Sequence, residues 1–145
     1  MKKAVLPITF LLVIALVMLT ACGSKTGSNV AVSSGRTIKS VTVGNLTATL
    51  SNSNGQLKPG NQEVILTFTD SSGKPVDVGA VFLNFHMAQM GTMAEMNDAT
   101  AFTTTGTPGV YRGKVNLEVA GEWQGQLAFE GPAGSGKTTL TLTAQ

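Results

Sequence analysis

Apolar and polar residues alternate with a period of two through most of the chain beyond Thr37. In "EVILTFTD" Val64, Leu66 and Phe68 share one face, and in "AVFLNFHM" Val81, Leu83, Phe85 and Met87 do. "VTVGNLTATL" is rich in β-branched residues. "TAFTTT", "VYRGKVNL", "EWQGQLAF" and "KTTLTLTA" continue the pattern, the last with Leu140 and Leu142 set between threonines. Successive side chains of a strand point to opposite faces, so each run reads as a strand with one buried face. Between the runs stand "SNSNGQLKPGN", "DSSGKP", "GTPG", "AG" and "GPAGSG", which are built from residues that tight turns use. No stretch keeps a helical period over three turns. About seven short strands at this spacing predict an all-β fold, an antiparallel immunoglobulin-like β-sandwich over residues 37–145.

The N-terminal residues obey a different rule. Lys2 and Lys3 precede an apolar run to Leu19, and small residues then lead to Cys22, the only cysteine of the chain. That is the layout of a secretory signal, which takes no part in the fold. Leu19-Thr20-Ala21-Cys22 resembles the lipobox of bacterial lipoproteins. The resemblance implies that residues 1–21 are a lipoprotein signal peptide and that lipid on Cys22 anchors the mature chain. Several acyl chains on one residue give a stable anchor where one chain is marginal. A plain transmembrane anchor and a cleaved signal with a free thiol are the alternatives. The position of the sole cysteine favours lipid. "GSKTGSNVAVSSGRT" follows with little to bury, so residues 22–36 read as the lipidated cysteine and a flexible linker. The expected location is the cell envelope, outside the cytoplasm and on the periplasmic side in a Gram-negative cell.

Charge narrows the partners. The ten Lys and Arg residues include Lys2 and Lys3, which leave with the signal, so eight basic residues face eight acidic ones in the mature chain. A balanced surface has no electrostatic footprint for nucleic acid. "GPAGSGKTTL" fits the phosphate-cradling pattern G-x-x-x-x-G-K-[ST] at Gly131, Gly136, Lys137 and Thr138. Such a loop works only where a helix starts at the lysine. After Lys137 the chain alternates with period two and is dominated by threonine, which favours a strand. The stretch predicts a hairpin loop, and no nucleotide is expected.

The chemistry concentrates in "NFHMAQMGTMAEMND". Of six methionines, Met1 and Met18 lie in the signal, while Met87, Met90, Met93 and Met96 fall three residues apart beside His86, the only histidine. Thioether sulfur is a soft neutral ligand that selects Cu(I), and imidazole is a suitable companion. It needs no deprotonation and forms no disulfide, which suits an oxidising compartment. His86, Met87, Met90, Met93 and Met96 are therefore the candidate ligands, with Cu(I) as the candidate cofactor. By parity His86 and Met87 point apart, so a site that uses both requires the chain to bend after the strand, and Gly91 marks an irregular loop there. Two other readings stay open: a cap of pliable side chains over Phe82 or Phe102, and a methionine-rich surface for a protein partner. Glu95 and Asp98 are oxygen ligands in the first reading and solvated loop residues in the others.

"FHMAQMGTM", followed by "GVYRGKVNLEVAGEWQGQLAF", resembles the YtkA-like and FixH-like extracytoplasmic domains over roughly residues 40–145. Their pattern runs apolar-Met-Pro-x-Met-Gly-His, then Gly-x-Tyr, then Ala-Gly-x-Trp. Met87, Met90, Gly91, Tyr111, Gly121 and Trp123 fall on it. The resemblance implies an immunoglobulin-like sandwich of the kind found near copper-handling or oxidase-assembly proteins. Ala88 stands where the family usually has Pro and Thr92 where it often has His, which favours a Met-dominated site over a His-rich Cu(II) one. Tyr111 and Trp123 sit in period-two strands, where an aromatic residue beside a turn is ordinarily a core anchor.

The expected protein is a membrane-anchored carrier or a resistance or assembly accessory for copper. Copper-efflux or oxidase-assembly proteins are its expected partners. A non-metal interaction module docking to an envelope complex is the alternative. No enzyme is expected, because His86 has no nucleophile or acid partner at a telling spacing.

Overall fold

The computed structural model describes residues 35–145; the signal peptide, Cys22 and nearly all of the linker lie outside the described residues. Eight strands follow one another: β1 (Arg36–Val43), β2 (Leu46–Asn52), β3 (Gly60–Thr69), β4 (Ala80–Met87), β5 (Met96–Thr104), β6 (Val110–Leu117), β7 (Gly121–Gly131) and β8 (Gly134–Ala144). Every neighbouring pair is antiparallel, in the order β1-β2-β3-β6-β5-β4-β7-β8. The eighth strand comes from "VTVGNLTATL", which reads as one strand in sequence and is a hairpin in the structure. Val43 pairs with Leu46 across Gly44-Asn45, with Gly44 at φ 63°. A two-residue turn with glycine in its first central place matches the twist of the strands it joins.

β5 belongs to both layers. Its first part, as far as Ala101, pairs with β4, and Phe102 to Thr104 pair with β6. One layer is thus β2-β3-β6 with the end of β5, and the other is the start of β5 with β4-β7-β8. This is the A-B-E-D and C-F-G order of immunoglobulin sandwiches, preceded by one extra strand, β1. A strand that changes sheets turns the corner between the two layers. At the far side Val43 of β1 lies against Gly136 of β8, so the sandwich is nearly closed.

Period two decides what is buried. Val64, Leu66 and Phe68 of β3 and Val81, Leu83, Phe85 and Met87 of β4 all point between the layers. Phe68 holds the centre, edge-on to Tyr111 at 5.9 Å and to Phe129 at 5.3 Å between ring centroids. Such edge contacts add about 0.5–1.5 kcal/mol beyond the area buried.

"GPAGSGKTTL" is the expected hairpin. Gly131 pairs with Gly134 across Pro132-Ala133, and Lys137 and Thr138 lie in β8 opposite Ala128 and Leu127. A strand stands where a phosphate site needs a helix.

Tyr111 is buried, and its phenol ties β6 to the connection before β4. The Val78 N–H donates to the Tyr111 hydroxyl at 3.0 Å, and the hydroxyl donates to Asp77 Oδ1 at 2.8 Å. The Gly79 N–H, and after it the phenol, hold the Asp77 carboxyl below its ordinary value. Burial, and after it the bond to Asp77, push the Tyr111 phenol above its own. A lowered acid stabilises the fold above the ordinary carboxylate range and loses that contribution as pH falls through its folded value. The raised phenol contributes below about pH 10 and loses its contribution as pH rises through its folded value. Tyr111→Phe leaves the buried Val78 N–H without a partner. It should cost about 1–3 kcal/mol in urea unfolding at neutral pH and flatten the loss of stability in acid. An unchanged urea midpoint would show that this tether contributes nothing.

Candidate functional site

The four methionines among the described residues lie on a single hairpin, β4–β5, and the pairing sorts them two by two. Met87 pairs with Met96 where the strands meet. Met87 is 2% exposed and belongs to the core, and Met96 is half-buried against it. Met87 Cε lies 3.2 Å from where a Cβ on Gly121 would stand, so the thioether is packed against the start of β7. Period two carries both Met87 and Met96 inward, so of the five candidate ligands these two sulfurs lie at the core side of the hairpin, apart from the tip.

Met90 and Met93 are at the tip. The Met90 N–H donates to the Met93 carbonyl at 3.2 Å, and the Met93 N–H donates to the Met90 carbonyl at 3.0 Å. Gly91 and Thr92 form the turn between them, with Gly91 at φ 59°. Glycine in the first central place is what a type II′ hairpin turn demands, and this accounts for the Met-Gly step of the sequence. Two residues opposed in this way send their side chains to the same face of the hairpin. Both are open to solvent, Met90 at 54% and Met93 at 42%. The tip is an ordered turn of β-structure, where the sequence predicts an irregular loop.

His86 pairs with Asn97 and lies on the outer face of the sheet, away from Met87. Its Nδ1 is 3.0 Å from Asn97 Oδ1, which also accepts from Asn84 Nδ2 at 3.1 Å. Asn84 Nδ2 in turn donates to Gln126 Oε1 at 3.2 Å. With Asn97 Oδ1 as the shared acceptor, His86 Nδ1 is the donor, and in the neutral imidazole Nε2 then keeps the lone pair that a metal would take. A neighbour that fixes the tautomer of an imidazole and directs its free nitrogen is a usual companion of a ligating histidine.

The acidic residues divide as well. Asp98 Oδ2 accepts from the Asn116 N–H at 2.9 Å, so the carboxylate covers a strand amide of β6 where β5 has moved to the other layer. It is a structural residue. Glu95 is exposed near the tip. Among the described residues no three His, Cys, Asp or Glu side chains gather as a metal site would need. What fits a metal here is the thioether pair of Met90 and Met93, a soft donor set with no hard ligand imposed on it.

Trp123 is 1% exposed, and its Nε1–H donates to the Val119 carbonyl at 3.2 Å. It is a core anchor with its one polar atom satisfied. Sequence reasoning missed the amide row of Asn84, Asn97 and Gln126. The outward parity of "FLNFH" was its signal, but which residues stand beside His86 depends on the register with β5 and β7. No curated protein and no solved structure matches the chain significantly. Residues 40–128, more than half of the chain, match the family described as YtkA-like, and the chain belongs to that family.

Proposed function

We propose that this YtkA-like domain is a membrane-anchored extracytoplasmic accessory that binds Cu(I) through the tip of the β4–β5 hairpin and passes it on as a carrier or as a resistance or assembly factor. The observation that supports the reading is the exposed, directly opposed pair of Met90 and Met93. A core that used methionine only as filler would bury it, as it buries Met87. Two thioethers on one face of a turn suit Cu(I), which accepts few and soft ligands. Such a site is open to solvent, so metal enters and leaves quickly, as a carrier needs. His86 Nε2, held free by Asn97, is the nitrogen donor nearest in sequence. Lipid on Cys22 would keep the domain at the membrane, beside copper-efflux or oxidase-assembly proteins.

The test is competition with a chromophoric Cu(I) chelator under anaerobic, reducing conditions. The protein should withdraw Cu(I) from the chelator and take up Zn(II) far less well, because zinc sites favour thiolate and imidazole. Failure to compete at all would end the copper reading. The anchor has its own check: Cys22→Ser should release the protein from the membrane fraction, and retention after a carbonate wash would remove lipidation from the account.

One observation favours docking to an envelope protein instead. Phe82 is 66% exposed on the outer face of β4, between Ala101 and Ala128, and lines a surface groove with Ala128 and Lys137, where a partner's apolar side chain could cover the ring. Loss of an envelope partner on Phe82→Ser, with Cu(I) uptake absent from the wild type, would establish that reading.

A further inference from the structure

The hairpin separates its methionines by access as well as by position. Met87 is sealed in the core at 2% exposure, while Met90 and Met93 stand open at 54% and 42%. Neither tip residue belongs to the core cluster or to the hydrophobic residues packed against it. Their backbones are held by two reciprocal hydrogen bonds that do not involve the sulfur atoms.

Oxidation of a thioether follows access of the oxidant to sulfur. A sulfur lone pair attacks one oxygen of a peroxide. The S–O bond forms as the O–O bond breaks, the sulfur loses two electrons, and the peroxide leaves as water or an alcohol. In a core this change inserts a polar oxygen among apolar side chains and disrupts packing. At the tip the new oxygen meets water. Sulfoxide oxygen is also a harder donor than thioether sulfur, and hard oxygen donors suit other cations than Cu(I).

We propose that Met90 and Met93 are a paired oxidation site: peroxide converts both to sulfoxides, leaves Met87 untouched and the fold intact, and in doing so switches off soft-metal donation at the tip. The last step rests on the Cu(I) reading above; the selective oxidation does not. Peroxide gives both sulfoxide epimers, and the two methionine sulfoxide reductases, one for each epimer, working with a thiol reductant remove each oxygen as water and oxidise the thiols to a disulfide, so the change is reversible. Metal and oxidant compete for the same lone pairs, and a soft cation that peroxide does not oxidise, Ag(I), should slow the oxidation when bound there.

The experiment treats the full-length protein in detergent with hydrogen peroxide and maps oxygen uptake methionine by methionine by mass spectrometry. Near-ultraviolet circular dichroism of Trp123 reports the packing, and the chelator assay reports Cu(I). Met90 and Met93 should each gain one oxygen before Met87 gains any. The Trp123 signal should persist, Cu(I) uptake should fall to background, and the two epimer-specific reductases together with a thiol should restore it. Met90→Leu with Met93→Leu should leave nothing to oxidise at the tip. Oxidation of Met87 in step with the tip, collapse of the Trp123 signal as the tip oxidises, or an oxidised protein that holds Cu(I) as tightly as the reduced one would each overturn the proposal. Reduced protein that takes up no Cu(I) counts against the copper reading, and the oxidation map then decides this site by itself.

Discussion

Leucine at both Met90 and Met93 should lower Cu(I) affinity by at least about a hundredfold, since even residues behind the ligands are commonly worth 10–100-fold and this exchange removes the donors themselves. The same variant should stay within about 1 kcal/mol of wild-type stability, because both side chains are exposed and leucine keeps their bulk and apolarity. Met87→Leu should behave in the opposite way. It leaves Cu(I) affinity unchanged and costs up to about 1.5 kcal/mol, the usual range for a volume-conserving exchange in a packed core. His86→Ala should weaken the site without abolishing it, since two sulfurs still hold Cu(I) at low coordination. The chelator competition measures affinity and urea unfolding measures stability. If Met87→Leu reduces affinity as much as the double tip variant does, the ligand pairing drawn from the hairpin is wrong.

That contrast marks how far the sequence can be read. The alternation in "AVFLNFHM" correctly predicts Val81, Leu83, Phe85 and Met87 as one face, and β4 has the bounds of that run. The same alternation predicts that His86 and Met87 point apart, which the structure bears out. A spacing of three among the methionines carries no such information, because it crosses the end of a strand, a tight turn and the start of another strand. Only the register, Met87 opposite Met96 and Met90 opposite Met93, separates the core pair from the exposed pair. Register also hides the work of Asp98, whose carboxylate meets Asn116 because β5 leaves β6 at Ala101. The β1–β2 hairpin was legible in principle: Gly44-Asn45 between apolar Val43 and Leu46 is a two-residue turn signal. The alternation that runs through those residues with little interruption conceals it. Tyr111 shows the opposite limit. Its strand predicts a buried ring, but nothing in the sequence tells that its hydroxyl reaches Asp77 and Val78, more than thirty residues away.

Gly131 and Gly136 of "GPAGSGKTTL" should prove to be demands of packing, and Gly131→Ala gives the largest expected loss of stability among these variants. A Cβ on Gly131 would overlap the Val78 carbonyl oxygen and come within 2.7 Å of Gly79 Cα, both of them backbone. Neither can swing aside as a side chain would. Gly79 is itself pinned, with φ at 77° and its own Cβ position 2.7 Å from the Glu130 carbonyl oxygen. The close crossing of β7 with the start of β4 thus needs glycine on both sides, and the methyl group should cost about 3 kcal/mol, the upper end of ordinary overpacking. Gly136→Ala meets the Phe129 ring at 2.7 Å and Val43 Cγ1 at 2.8 Å, both side chains with some room to move, so a smaller cost of about 1–2 kcal/mol is expected. Lys137→Ala, at an exposed position of β8, should change stability by less than about 0.5 kcal/mol. A phosphate-binding loop would give another order: alanine at Lys137 would abolish ligand binding, and the glycines would matter through the backbone N–H groups they present to phosphate. Urea midpoints for the three variants, together with a nucleotide titration of the wild type and Lys137→Ala, separate the two accounts. A Gly131→Ala protein as stable as wild type would remove the packing account, and saturable ATP binding that disappears with Lys137 would return the stretch to the phosphate-binding reading.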